Sequence, residues 1–133
     1  MSGPESDQRA VRACLAVDPP LRGIAAYHCQ QAAEKLLKGF LVRAQADFGK
    51  THDLDRLGQS VIARFPAIAP LVTQLAHWTT WGVAYRYPAE PGPEPEPSPG
   101  ELSAALDLIV ALTAALHALA PPGAAADGKP DTH

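Results

Sequence analysis

Between Leu21 and about Ala46 the apolar side chains fall at Ala25, Cys29, Ala32, Ala33, Leu36, Leu37, Phe40, Leu41 and Ala44. This three-and-four spacing is that of one broad face of an α-helix, and no proline interrupts it. The opposite stripe carries Gln30, Gln31, Glu34, Lys35 and Lys38. Glu34 precedes Lys38 by four positions, the favourable order for a helical ion pair worth roughly 0.2 to 0.5 kcal/mol. Ahead of this element, Ser6 or Asp7 suits the N-cap of a short first helix to about Val17, with Val11, Cys14 and Leu15 on one face and Asp18-Pro19-Pro20 as its stop.

After it, Gly49 suits a helix exit and Thr51 or Asp53 the next N-cap. A third helix is predicted from Leu54 to about Phe65, with Leu54, Leu57, Val61 and Phe65 on one side. Pro66 punctuates, and a fourth is predicted from Ala67 or Ile68 to about Tyr85, with Pro70 tolerated in its first turn. Residues 88–99 hold six prolines and three glutamates and predict an extended or mobile surface loop. From Ser98 to Ala120, Leu102, Ala105, Leu106, Ile109, Leu112, Leu116 and Leu119 give a fifth helix. Residues 121–133 are small and polar and predict a disordered tail. The expected fold is all-α: one domain over residues 1–120, an up-and-down bundle of four main helices plus a short N-terminal one.

Composition agrees, with 25 Ala and 15 Leu against 7 Val and 4 Ile in 133 residues. The net charge of -3 conceals a division. Residues 1–88 hold 10 Lys and Arg against 7 Asp and Glu, while residues 89–133 hold one Lys against 7 acids. The chain lacks the global basic excess of many sequence-independent nucleic-acid binders, which leaves room for a local basic groove. Cys14 and Cys29 are too few for a disulfide scaffold. With no basic stretch leading into an apolar one at the start, and no apolar run near 18 residues, a cytoplasmic protein without a membrane span is expected.

Five histidines lack the i,i+3 or i,i+4 pairing that a helical metal site needs, so neither metal nor cofactor is expected. There is no P-loop, no G-x-G-x-x-G and no G-x-S-x-G.

The string YHCQQAAEKLLKGFL (Tyr27 to Leu41), then KTHDLDRL (Lys50 to Leu57) and AYRYP (Ala84 to Pro88), resembles the HEPN domain family in order and spacing. The resemblance implies a bundle of four to five helices that pairs as a homodimer. It also implies a nucleotide- or RNA-related role and a partner of the minimal (MNT-type) nucleotidyltransferase kind, in a toxin–antitoxin-like pair. Many relatives are metal-independent RNases with Arg, four to six residues, then His near the start of a late helix. Here Arg86 is followed by Tyr87 and Pro88 with no His in range; Arg22 and His28 alone match the spacing, at the start of the second helix.

Several groups then carry two readings each. Gln31, Glu34, Lys35 and Lys38 either grip a nucleotide's phosphate and base edge or form the solvated or dimer-facing side of their helix. Thr51, His52 and Asp53 either start a helix or, through His52 beside Lys50, build an anion site. Arg86 between Tyr85 and Tyr87 either lines a groove or pairs with an acid such as Glu34, and Trp78 and Trp81 are expected to bury. The leading expectation is a binding module for nucleotide, RNA or a nucleotidyltransferase, using Gln31, Glu34, Lys35, Lys38, His52 and Arg86. The others are an RNase using Arg22 and His28, and a purely structural dimerisation module.

Overall fold

A computed structural model of the chain describes residues 4–50, 53–78 and 97–119. All regular structure among them is helical, as expected: α1 (Pro4–Ala16), α2 (Arg22–Arg43), α3 (Leu54–Arg64), α4 (Ala69–Val72) between two 3-10 segments (Pro66–Ile68 and Thr73–Trp78), and α5 (Pro99–His117).

Helix α2 is the axis of the core. Ala25, Ala26, Cys29, Ala32, Ala33, Leu36, Leu37 and Leu41 are fully buried and Phe40 nearly so. Helices α1, α3 and α5 all pack against α2, α1 most extensively. They add Val11 from α1, Leu54, Leu57 and Val61 from α3, and Leu102, Ile109 and Leu112 from α5. Each such Leu, Ile, Val or Phe contributes roughly 1.5 to 3 kcal/mol by leaving water. Gly39 sits mid-helix, where glycine costs roughly 1 kcal/mol relative to alanine, because a Cβ there would stand 2.9 Å from Leu116 Cδ2.

The ends of the elements follow local chemistry. Asp53 caps α3 by accepting from the Asp55 amide at 2.9 Å, one of the two predicted caps. Ser98 caps α5 in a reciprocal box with Glu101, each side chain accepting from the other's amide. The exit of α2 differs from expectation. It lies at Gln45, in the left-handed region at φ 56, with Gln45 N–H donating to the Val42 carbonyl and Ala46 N–H to the Leu41 carbonyl, the paired bonds of a Schellman end. Gly49, at φ 63, lies in the loop beyond, its amide donating to Asp47 Oδ1 at 3.1 Å.

Two further expectations are corrected. The predicted continuous fourth helix is, as far as Trp78, one α-turn between 3-10 turns. Pro66 and Pro70 remove amide donors there, and the side chains of Thr73 and Gln74 take the Pro70 carbonyl at 3.4 and 2.9 Å. The rest of that helix, most of the proline-rich loop and the tail lie outside the described residues. The expectation that no apolar run comes near 18 residues is qualified by α5, whose mean hydropathy over 18 residues is 1.5, long and apolar enough to cross a membrane by length and composition only. Its fully buried Leu102, Ile109 and Leu112 lie in the core.

Candidate functional site

The polar stripe of α2 is not a solvated face. Gln30 and Glu34 are buried, and α1 lies across this side, supplying the buried carboxylate of Asp7. Asp7 Oδ1 stands 2.9 Å from His28 Nδ1, the contact of an imidazole N–H with a carboxylate, and Asp7 Oδ2 accepts from Lys35 Nζ at 2.7 Å. Lys38 Nζ donates to Glu34 Oε2 at 2.9 Å, the predicted i,i+4 pair. Gln31 Nε2 donates to Gln30 Oε1 at 2.8 Å, and Gln30 Nε2 reaches Glu34 Oε1 at 3.4 Å. On its other side α1 is tied to α5: Gln8 Nε2 donates to Thr113 Oγ1 at 3.1 Å, and Thr113 donates to the Ile109 carbonyl at 2.8 Å.

Chemically this is an interhelical seam in which each lysine already faces a carboxylate. Burial sets the character of the two thiols, and the carboxylate adds to it at Cys29. Burial pushes the Cys29 thiol up to about 12, helped by the negative charge of Asp7 and by Cys14, and burial raises Cys14 too. Both are buried free thiols, held protonated and unreactive.

A second polar region is open to solvent. Between the α2–α3 loop and α3 lies a cavity of about 800 Å³, with Asp47, Phe48 and Lys50 on the loop side and Arg56, Ser60 and Arg64 along α3. Lys50, Arg56 and Arg64 are exposed, and among the described residues no carboxylate pairs with any of them. Arg64 Nη1 donates to the Ser60 carbonyl at 3.3 Å. Phe48 is half-buried, with Lys38 Nζ 5.8 Å from its ring centroid. The groove thus holds three cations against one carboxylate and has an aromatic ring on one wall, the complement of an anion that carries a flat group.

The candidate residues divide accordingly. Gln31, Glu34, Lys35, Lys38 and His28 come together in the seam. Arg22 begins α2, partly exposed and partnered, six positions before His28. His52, Arg86, Tyr85, Tyr87 and Trp81 lie outside the described residues. Trp78 is buried, as expected. Lys50, expected only as a neighbour of His52, lines the groove. Asp7, Arg56 and Arg64 were missed as site residues. Asp7 had a signal, since it precedes Val11 and Cys14 by four and seven positions on the buried face of α1. The two arginines had a weaker one in their eight-residue spacing on a helix. Among the described residues no cluster of His, Cys, Asp and Glu could hold a metal ion.

A family model described as the HEPN domain matches residues 21–113, more than half of the chain. The matched stretch begins after α1, so Asp7 lies outside it. No curated protein and no solved structure matches the chain.

Proposed function

We propose, from the premise that this chain belongs to the HEPN domain family, that it is a binding module for nucleotide or RNA phosphate, paired as a homodimer in the cytoplasm and partnered by an MNT-type nucleotidyltransferase. Membership supports a nucleotide- or RNA-related module in general. The observation that carries the finer reading is the groove beside α3, where Lys50, Arg56 and Arg64 line one cavity and, among the described residues, have no carboxylate partner. Bidentate guanidinium donors suit phosphate oxygens, and a solvent-open groove admits the ligand without rearranging the core.

Calorimetric titration of the full chain with ATP and with a short RNA tests this reading: a measurable heat with either supports it, and flat heats with both at millimolar ligand remove it. Light scattering at micromolar concentration tests the homodimer, which a monomer mass rules out. Co-purification with a co-expressed nucleotidyltransferase tests the partner, and its absence from the complex removes that part.

One observation favours the enzymatic alternative. Asp7 holds His28 through Nδ1 at 2.9 Å, the arrangement that orients an imidazole and leaves Nε2 for proton transfer. Arg22, roughly 9 Å away along the helix axis, would neutralise the phosphate. RNA cleavage in EDTA that is lost in His28→Ala would establish this reading; no cleavage, or cleavage unaffected by the substitution, removes it.

A further inference from the structure

We propose that the groove beside α3 holds one single-stranded polynucleotide, with successive phosphates on Arg56, Arg64 and Lys50 and a base against Phe48. This deepens the binding reading above and rests on it. Three features of the groove select a strand over a lone nucleotide or a duplex.

The first is the spread of charge. Arg56 and Arg64 are eight positions apart on the regular helix α3, about 12 Å along the axis, with Ser60 midway and all three lining one cavity. Two guanidinium groups based that far apart on one face address separate anions, and a chain of phosphates presents such a row. Lys50 adds a third cation from the opposite wall.

The second is the shape and chemistry of the cavity. At about 800 Å³ it lies toward the upper end of the range for small-ligand pockets, roughly 300 to 1,000 Å³, yet small-ligand pockets are mostly apolar and enclosing. This one is open and lined by charged and hydroxyl side chains, the character of grooves that track a nucleic-acid backbone.

The third is the single aromatic. Phe48 is half-buried at the wall that carries Lys50, and Lys38, neutralised by Glu34, stands 5.8 Å from its ring. A ring fixed by packing offers an unstacked base a platform, which the paired bases of a duplex cannot use. Asp47 works against this charge pattern. Its carboxylate accepts the Gly49 amide, so it shapes the loop while opposing phosphate.

The test is fluorescence anisotropy of a labelled oligouridylate of about 12 nucleotides, within the site sizes common for single-strand grooves, on the full chain in EDTA. Affinity is followed from about 50 to about 200 mM salt, with ATP, a dinucleotide and a duplex of equal length as competitors. With three phosphates neutralised, the logarithm of affinity should fall against the logarithm of salt with a slope of about -2, at about 0.7 per phosphate for a single strand. Arg56→Gln, Arg64→Gln and Lys50→Gln should each lower affinity and reduce the slope by about 0.7. Phe48→Leu should weaken binding by at least about fivefold at unchanged slope, and Asp47→Asn should tighten it. All of these positions but Phe48 are exposed, and thermal melts by circular dichroism verify that each variant is folded.

Binding of the strand that is indifferent to all three charge variants overturns the groove while leaving the binding reading intact. Displacement by ATP or the dinucleotide as effective as by the strand itself overturns the polymer, as does preference for the duplex. If neither strand nor ATP binds, this proposal and the reading beneath it fall together.

Discussion

At Asp7 the chain places a carboxylate where the spacing to Val11 and Cys14 calls for an apolar side chain. Burying it is tolerable because His28 and Lys35 each meet one of its oxygens, at 2.9 and 2.7 Å; a buried carboxylate without such partners would be strongly unfavourable. Asp7→Ala should therefore destabilise the fold by about 1 to 3 kcal/mol, discounted because both partners are partly exposed, and Asp7→Asn by less; urea unfolding measures both. Cys29 gives a pH dependence with a definite sign. Its thiol keeps its proton to about 12 in the folded chain against an ordinary value of 9.0, so between those limits the unfolded chain has lost a proton that the folded chain retains. The contribution is fully present below pH 9.0 and declines as pH rises toward 12. In Cys29→Ala the fall in urea midpoint across that window should be shallower than in the unaltered chain; parallel curves would contradict this.

The elements show what is readable from spacing and what depends on the folded surroundings. The apolar positions from Ala25 to Leu41 are buried as their periodicity requires, and Asp53 caps α3 as its residue type predicts, while the capping box of Ser98 with Glu101 is found only in the structure. Ser98→Ala, which removes one half of the α5 capping box, should cost about 1 kcal/mol, read as a drop in melting temperature. The exit of α2 was not legible, because the left-handed residue there is Gln45, while the glycine that normally marks such a site lies four residues on. Gln45→Gly should relieve this and stabilise by about 1 kcal/mol, since a Cβ is disfavoured at positive φ. A lowered melting temperature would contradict it. The broken fourth helix escaped for a related reason: the apolar spacing of Leu71, Val72 and Leu75 is helical, yet the bonds of Thr73 and Gln74 to the Pro70 carbonyl decide the backbone. The polar stripe of α2 misleads in the opposite way, because its pattern is that of an outer face and only the docking of α1 turns it into a seam. The groove has only a faint signature along the chain, the eight-residue spacing of Arg56 and Arg64, since Phe48 and Lys50 meet them only after the loop folds back on α3.

On the scale of the whole molecule, net charge is a poor guide to where an anion would bind. The chain is acidic overall at -3, and the lysines of its most regular helix are matched by Asp7 and Glu34. The cations that line a cavity and have no carboxylate partner among the described residues lie beside α3. Two classes of variant should separate cleanly as a result. Lys35→Gln and Lys38→Gln should lower thermal stability with little effect on nucleic-acid affinity, whereas Arg56→Gln should do the reverse; equal effects on both properties would erase the distinction between seam and groove. The division also gives α1 a structural role, since it lies ahead of the family match at residues 21–113 yet joins α2 to α5 through Asp7 and Gln8. The most direct test is an amide chemical-shift map of the full chain titrated with a single-stranded RNA of about 12 nucleotides, a length within the usual single-strand site sizes. Perturbations should concentrate at Asp47 to Lys50 and along α3 from Arg56 to Arg64. Perturbations confined to the seam at His28, Lys35 and Lys38, or a spectrum unchanged at millimolar RNA, would rule out strand binding in the groove.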